Sequence, residues 1–146
     1  MNQNTKIDHI GIVVQDIQTA LQVYQDALGL PLKEIVPVPD QKVKVAFLPL
    51  GESNIELVQP TSDDTGIAKF LAKRGEGIHH ICIEVEDIEA TLARLKAHEV
   101  QLIDEEPRQG AHGRVAFIHP KAMHGVLIEL IEPVHCGVDI TDLVAY

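Results

Sequence analysis

The sequence predicts an α+β fold built from two repeated β-α-β-β-β modules. The prediction depends on an internal repeat, on helical spacing after the first strand of each copy, and on three extended stretches after each helix. Residues 9–17 align with residues 80–88, with identity at one histidine, three isoleucines, one valine and one aspartate. Shorter segments recur in the same order, Val45-Ala46-Phe47 as Val115-Ala116-Phe117 and Ile55-Glu56-Leu57 as Ile128-Glu129-Leu130.

The first module, residues 6–60, begins with a β-branched, apolar stretch over 6–14 that predicts a strand. Asp16 is suited to cap a helix whose apolar residues recur at helical spacing until Gly29 ends it. Three extended stretches follow, separated by turn-forming residues, near 32–38, 42–49 and 54–59.

The second module, residues 77–133, repeats this order of elements. A strand near 79–85 leads to Asp87, which is suited to cap the second helix. The three extended stretches are expected near 100–105, 114–119 and 126–132.

The segments outside the modules are a connector over residues 61–76 and a tail over residues 134–146. Thr65 and Gly75 are suited to begin and end a short helix in the connector. The tail has no counterpart in the first module, and it could cover an edge strand or a partner subunit. Because each copy alone is of marginal size, we expect residues 1–146 to fold as a single domain.

Composition and charge exclude several classes of partner. A net charge of −10 disfavours a nucleic acid or an anionic membrane, because both require a basic surface. An anionic small ligand would need a local positive centre. No apolar run approaches about 18 residues, and the polar start does not have the form of a leader peptide, so we expect a cytoplasmic protein. Cys82 and Cys136 are expected to be unlinked thiols.

The repeat pairs two histidines and two glutamates. A single histidine in a strand usually packs in the core or on the surface, and a glutamate between apolar residues usually faces solvent. Repetition favours a different interpretation, because packing about a pseudo-twofold axis would direct one imidazole and one carboxylate from each copy toward that axis. The four residues that could bind one divalent ion in this way are His9, Glu56, His80 and Glu129.

These residues and their surroundings resemble the glyoxalase, or vicinal oxygen chelate, superfamily, and within it the methylmalonyl-CoA epimerase family. The resemblance covers about residues 6–133, and the His-His pair with the His-Pro-Lys segment is typical of the epimerase branch. The similar segments are Asp8-His9-Ile10-Gly11-Ile12, Ala68-Lys69-Phe70-Leu71, Gly77-Ile78-His79-His80-Ile81, Leu102-Ile103-Asp104-Glu105-Glu106-Pro107, His119-Pro120-Lys121 and Gly125-Val126-Leu127-Ile128-Glu129-Leu130.

The resemblance implies a sheet that curls into one cleft, commonly in a homodimer, and metal ligands at the same four positions. Some relatives carry glutamine where this chain has Glu56. An N2O2 ligand set suits cobalt, manganese, nickel or zinc better than calcium or magnesium. We therefore expect one divalent ion per chain.

The implied reaction is epimerisation of methylmalonyl-CoA at C2 through a metal-stabilised enolate. The resemblance implies that Glu129 exchanges protons on one face of the enolate. Lys44 aligns with a second glutamate of some relatives, and could donate a proton, hold the CoA phosphates or face solvent. Lys121 is a candidate for binding a substrate carboxylate or phosphate.

Two other functions remain open. Glyoxalase I uses similar ligands and enolate chemistry on a glutathione hemithioacetal, although the epimerase-like segments disfavour it. The superfamily also includes metal-free, non-catalytic binding proteins, because a fold does not fix a function. The presence of all four candidate ligands argues against that class.

Overall fold

A computed structural model describes residues 5–110 and 112–134. Contacts between residues divide the chain into two compact units, one of which is Ile7–Cys82 and the other the described residues outside that range. The described part contains eight strands and three α-helices, which confirms the predicted α+β class. None of its helices is long and apolar enough to cross a membrane.

The Ile7–Cys82 unit contains the first module and most of the strand that begins the second. Its strands lie in the order β2-β3-β4-β1-β5, with β1 and β4 parallel and with antiparallel pairing of β2 to β3 and β3 to β4. The elements are β1 (Lys6–Val13), α1 (Ile17–Leu21), β2 (Glu34–Val38), β3 (Val43–Leu50), β4 (Ser53–Pro60), α2 (Gly66–Arg74) and β5 (Gly77–Glu84).

The predicted caps form in both copies. The Asp16 carboxylate accepts a hydrogen bond from the Thr19 amide at the start of α1, and the Asp87 carboxylate accepts one from the Ala90 amide in the second copy. Thr65 caps α2 in the same way. These contacts satisfy amides that have no partner within the helix.

The first predicted helix differs in its second half. After α1, the chain continues as a π-helix over Gln22–Ala27. Because a π-helical turn holds more residues than an α-helical one, the apolar spacing loses its phase. Of the apolar residues at helical spacing, Ile17 and Leu21 are buried, whereas Leu28 is 64% exposed.

The core of this unit lies between α1 and one face of the sheet. Alternation along β3 and β4 directs small and branched apolar side chains toward α1. Ile12 and Ile55 are partly buried against the same cluster. The buried members are Val14, Ile17, Leu21, Ala46, Leu48 and Leu57.

The other unit contains the rest of the second module. Its strands lie in the order β8-β7-β6, with antiparallel pairing throughout. The elements are α3 (Ile88–Ala97), β6 (Arg108–Gln109), β7 (Gly113–Ile118), a 3-10 turn (Pro120–Met123) and β8 (Ile128–Pro133). The unit boundary therefore differs from the predicted module boundary, because β5 groups with β1.

One predicted strand is wrong. Residues 100–105 contain only an isolated bridge from Leu102 to Ile118, and the strand that pairs with β7 is Arg108–Gln109. The Asp104 carboxylate accepts the Phe117 amide hydrogen at 2.9 Å, while the Asp104 amide donates to the Phe117 carbonyl at 3.1 Å. The Asp104 side chain therefore accepts the Phe117 amide hydrogen, which the backbone of a partner strand would otherwise accept. Of the predicted tail, residues 135–146, including Cys136, lie outside the described part.

Candidate metal centre

Two of the predicted ligands, His9 on β1 and His80 on β5, face each other within the Ile7–Cys82 unit. Their Nε2 atoms are 2.9 Å apart, and the exposed fractions of the two residues are 7% and 8%. β1 and β5 are neighbours in the sheet, so the repeated histidines occupy adjacent strands. The repeat thus predicted a contact between two buried imidazoles.

Each imidazole has a partner at Nδ1. His9 Nδ1 lies 2.7 Å from an Asp8 carboxylate oxygen and 3.0 Å from a Glu56 carboxylate oxygen. His80 Nδ1 lies 3.0 Å from His79 Nδ1. With protons on the Nδ1 atoms of His9 and His80, both Nε2 atoms present lone pairs, which is the tautomer that binds a metal.

Gly11 allows the His80 ring to occupy this position. A Cβ atom at Gly11 would lie 2.3 Å from His80 Cε1, 2.7 Å from Nδ1 and 2.8 Å from Nε2. Carbon atoms that are not bonded do not approach so closely, since contacts between them are near 3.5–4.0 Å. The absence of a side chain at Gly11 on β1 therefore provides the space for His80, the candidate ligand from β5.

The donor set fits a divalent metal. Two metal–nitrogen bonds of about 2.1 Å at a right angle would place their nitrogen atoms about 3.0 Å apart, close to the separation of the two Nε2 atoms. Asp8, His9 and Cys82 of the same unit also offer ligand atoms within 4.8 Å of one another. The separation of the two Nε2 atoms makes His9 and His80 candidate ligands for the ion.

Glu56 contacts His9 at Nδ1, the nitrogen that would not bind the metal. Its side chain is 15% exposed. A carboxylate at this position fixes the orientation of a ligating imidazole and increases its basicity. Direct ligation by Glu56 stays a prediction.

Glu129 lies on β8 of the other unit, where it is half-buried. Its Cα atom is directly opposite Phe117 on β7, as that of Glu56 is opposite Phe47 on β3. Directly paired residues of neighbouring strands project from the same face of a sheet. The two glutamates are thus equivalent in strand position as well as in sequence, and the role of Glu129 stays a prediction.

The register of β3 argues against the predicted catalytic role of Lys44. Phe47 pairs with Glu56, so by alternation Lys44 projects from the opposite face, which carries the α1 core. Hydrogen bonds from Thr19 lower the pKa of the carboxyl of Asp16, the cap of α1, and the charge of Lys44 makes a smaller contribution in the same direction. A proton donor for the enolate would need to lie on the Glu56 face.

In the second copy, the residue equivalent to Lys44 also projects from the helix side of the sheet. Arg114 corresponds to Lys44, and it lies directly opposite Glu132 as Lys44 lies opposite Gln59. Arg114 Nη2 donates to the Glu132 carboxylate at 2.8 Å, which raises the pKa of the guanidinium. Arg114 Nη1 also lies 3.2 Å from a carboxylate oxygen of Glu89 on α3, so the equivalent of Lys44 projects from the helix side of its sheet.

Lys121, the predicted substrate-binding residue, lies in the 3-10 turn after β7 and is exposed. Its amide donates to His119 Nδ1 at 3.1 Å. Binding of a substrate anion by its side chain stays a prediction.

Asp8 and His79 were missed by the sequence analysis. Each is adjacent in sequence to a predicted ligand, and period-2 alternation would direct it to the opposite face of the sheet. Both nevertheless contact the Nδ1 atom of the neighbouring histidine. The available signal was the presence of a polar residue immediately before each repeated histidine.

Comparison with known proteins identifies the class. Residues 8–118 match the model of the Glyoxalase/Bleomycin resistance protein/Dioxygenase superfamily. The chain therefore belongs to this superfamily, and the predicted glyoxalase fold is confirmed.

Relatives within the class are more specific. The chain is 42% identical over 127 residues to human mitochondrial methylmalonyl-CoA epimerase, covering 86% of this chain and 72% of that protein. It is 41% identical over 128 residues to an ethylmalonyl-CoA/methylmalonyl-CoA epimerase of Cereibacter sphaeroides, covering 86% and 96%. A solved methylmalonyl-CoA epimerase in complex with methylmalonyl-CoA and NH4+ matches with a TM-score of 0.82 and 36% identity, covering 90% and 96%. The predicted resemblance to methylmalonyl-CoA epimerases is thus confirmed.

Proposed function

We propose that this protein is an isomerase that epimerises methylmalonyl-CoA at C2 with the help of one divalent metal ion. The observation that carries the proposal is the pair of buried imidazoles with Nε2 atoms 2.9 Å apart, in a chain that is 42% identical to a named epimerase over 127 residues. A solved relative in complex with methylmalonyl-CoA supports an acyl-CoA substrate.

His9 and His80 are proposed to hold the ion, together with the predicted ligands Glu56 and Glu129. When bound, a divalent ion supplies positive charge for the thioester oxygen, which becomes negative as C2 loses its proton. The Asp8 carboxylate accepts the Nδ1 hydrogen of His9 and restrains rotation of its ring. The chain's own contribution is therefore to orient the imidazoles before the substrate binds.

Glu129 is proposed to exchange the C2 proton on one face of the enolate. Glu129 is half-buried, and a carboxylate can act as general base and then as general acid toward the C2 proton. Epimerisation also requires a proton on the opposite face, and the register of β3, which directs Lys44 toward the α1 side, favours another residue for that role.

Proton exchange at C2 tests the proposal. The protein is stripped of metal, reloaded with cobalt, and incubated with methylmalonyl-CoA in deuterated water while NMR follows loss of the C2 proton. We expect rapid exchange that depends on metal and that, for the epimer whose C2 proton faces Glu129, is lost in Glu129→Gln. A folded, metal-loaded protein that exchanges no C2 proton would contradict the proposal, and turnover of a glutathione hemithioacetal would then indicate glyoxalase I activity.

A further inference from the structure

Cys82 on β5 lies beside two residues of β1 that carry ligand atoms. One such atom from each of Asp8, His9 and Cys82 lies within 4.8 Å of the other two. All three residues belong to the Ile7–Cys82 unit, and β1 and β5 are neighbours in its sheet. This thiol cluster, formed by Asp8, His9 and Cys82, therefore combines a carboxylate oxygen, an imidazole nitrogen and a thiol sulfur.

The repeat distinguishes Cys82 from its counterpart in the first copy. His80-Ile81-Cys82 aligns with His9-Ile10-Gly11, so Cys82 corresponds to Gly11. Gly11 leaves space for the His80 ring, whereas Cys82 places a sulfur atom near His9. The two histidines are equivalent in the repeat, but only His9 has a thiol in the position where His80 has the glycine.

Burial differs among the three members of the thiol cluster. Cys82 is 0% exposed and His9 is 7% exposed, whereas the Asp8 side chain is 26% exposed. The carboxylate is thus the member that meets solvent. A buried cysteine usually packs as a small apolar residue. Here, however, the sulfur atom has two polar ligand groups beside it.

Negative charge is concentrated at the Nδ1 atom of His9. One carboxylate oxygen of Asp8 lies 2.7 Å from this nitrogen, and one of Glu56 lies 3.0 Å from it. Both carboxylates are largely removed from solvent, so water screens their charges only in part. This surrounding favours a positive centre at Nδ1, which is either a proton or a metal ion.

The types of donor atom indicate the class of ion. A thiolate is a soft ligand, and a set of one sulfur, one nitrogen and one oxygen suits zinc, or its heavier congener cadmium, better than magnesium, calcium or manganese. The thiol releases its proton to solvent as the ion binds, so a metal–sulfur bond replaces the sulfur–hydrogen bond. Three protein ligands leave the fourth position of a tetrahedral ion to water.

We propose that Asp8, His9 and Cys82 form a second metal site, which takes a thiophilic divalent ion of the zinc class and competes with the ion proposed for His9 and His80. A neutral imidazole has one lone pair, on the ring nitrogen that carries no proton. His9 therefore serves one ion at a time, either through Nε2 beside His80 or through Nδ1 beside Asp8 and Cys82. The site itself does not depend on the proposed function, whereas the competition rests on the metal centre that this function requires.

Ultraviolet absorption of a cadmium-bound thiolate tests the site. Cadmium is titrated into reduced, metal-free protein that carries Cys136→Ser, which leaves Cys82 as the one remaining cysteine of the two in the sequence. We expect a thiolate-to-cadmium charge-transfer band that saturates at one ion per chain. Adding Cys82→Ser should abolish the band and weaken cadmium binding, measured by competition with a chelator, by at least about 10- to 100-fold. Cys82→Ala should have the same effect, and circular dichroism checks that each variant is folded.

Three variants in the Cys136→Ser background test which residues share the ion with Cys82. Asp8→Asn and His9→Ala should weaken cadmium binding to the thiolate, whereas His80→Ala should leave the band and its affinity unchanged. A missing band at saturating cadmium would show that Cys82 is only a packing residue, and would overturn the proposal. A band that is unchanged by both Asp8→Asn and His9→Ala would mean that the thiol binds alone. A band lost in His80→Ala would assign the thiol to the His9–His80 centre, and either result would also overturn the proposal.

Displacement of cobalt tests the competition. The visible spectrum of cobalt-loaded protein follows the ion at His9 and His80 while cadmium is added. We expect displacement from the Cys136→Ser protein at a cadmium concentration about 10- to 100-fold lower than from the protein that also carries Cys82→Ser. Equal concentrations would refute the competition. Because these measurements use metal ions alone, cadmium binding to Cys82 in a protein that exchanges no C2 proton would support the site and contradict only the proposed function.

Discussion

Replacement of Gly11 by valine tests the arrangement of the two histidines. The new Cβ atom would lie 2.3 Å from His80 Cε1, and an ordinary contact of about 3.5 Å requires the ring to move by about 1.2 Å. Metal–ligand distances tolerate changes of only about 0.2 Å, so His80 would no longer bind with His9. We expect metal affinity to fall by at least about 10- to 100-fold, the loss caused by disturbing residues that merely support ligands.

Competition with a chromophoric chelator measures this affinity. Circular dichroism and thermal unfolding of the metal-free variant test whether the fold is intact, which we expect because valine favours strands. Gly66→Ala is the matched control, since a Cβ atom at Gly66 meets no atom within 4 Å. A folded Gly11→Val protein with wild-type metal affinity would refute the assignment of the site to these two imidazoles.

Two further predictions concern charged residues outside the histidine pair. Lys44→Met should leave metal content and C2 proton exchange unchanged, because the Lys44 side chain projects from the α1 side of the sheet; slower exchange with normal metal content would contradict this. The Asp64 carboxyl should titrate by NMR with a pKa of about 2, lowered first by the Ser62 hydroxyl and then by Lys42. Since the folded-state pKa is depressed, these contacts stabilise the fold above the ordinary pKa of 3.8 and are lost as the pH falls through about 2. Lys42→Met should raise the pKa only partly, and a wild-type value near 3.8 would contradict the assignment.

Most predictions of the fold and of the candidate site came from the internal sequence repeat. It placed His9 and His80 at equivalent positions, and the structure brings their Nε2 atoms together. Helix starts were also predictable, because a capping carboxylate acts locally on an amide three residues away. Such features depend on neighbouring residues or on symmetry, both of which are visible in one sequence.

Features that depend on tertiary context were not predictable. The π-helix over Gln22–Ala27 changes the helical phase and exposes Leu28. Asp104 uses its carboxylate where a strand partner was expected, so the strand begins at Arg108. The face of Lys44 required the register of β3 against β4, although its equivalence to Arg114 offered a clue.

The most direct test of the central claim measures conversion of one C2 epimer of methylmalonyl-CoA into the other. A stereospecific enzyme that consumes only the product epimer detects the conversion. The account predicts rapid conversion by the metal-loaded protein, loss of conversion after chelation, recovery with cobalt, and no recovery in His80→Ala. Equal conversion by metal-free protein, or by folded His80→Ala, would contradict a mechanism based on a metal held by the two histidines.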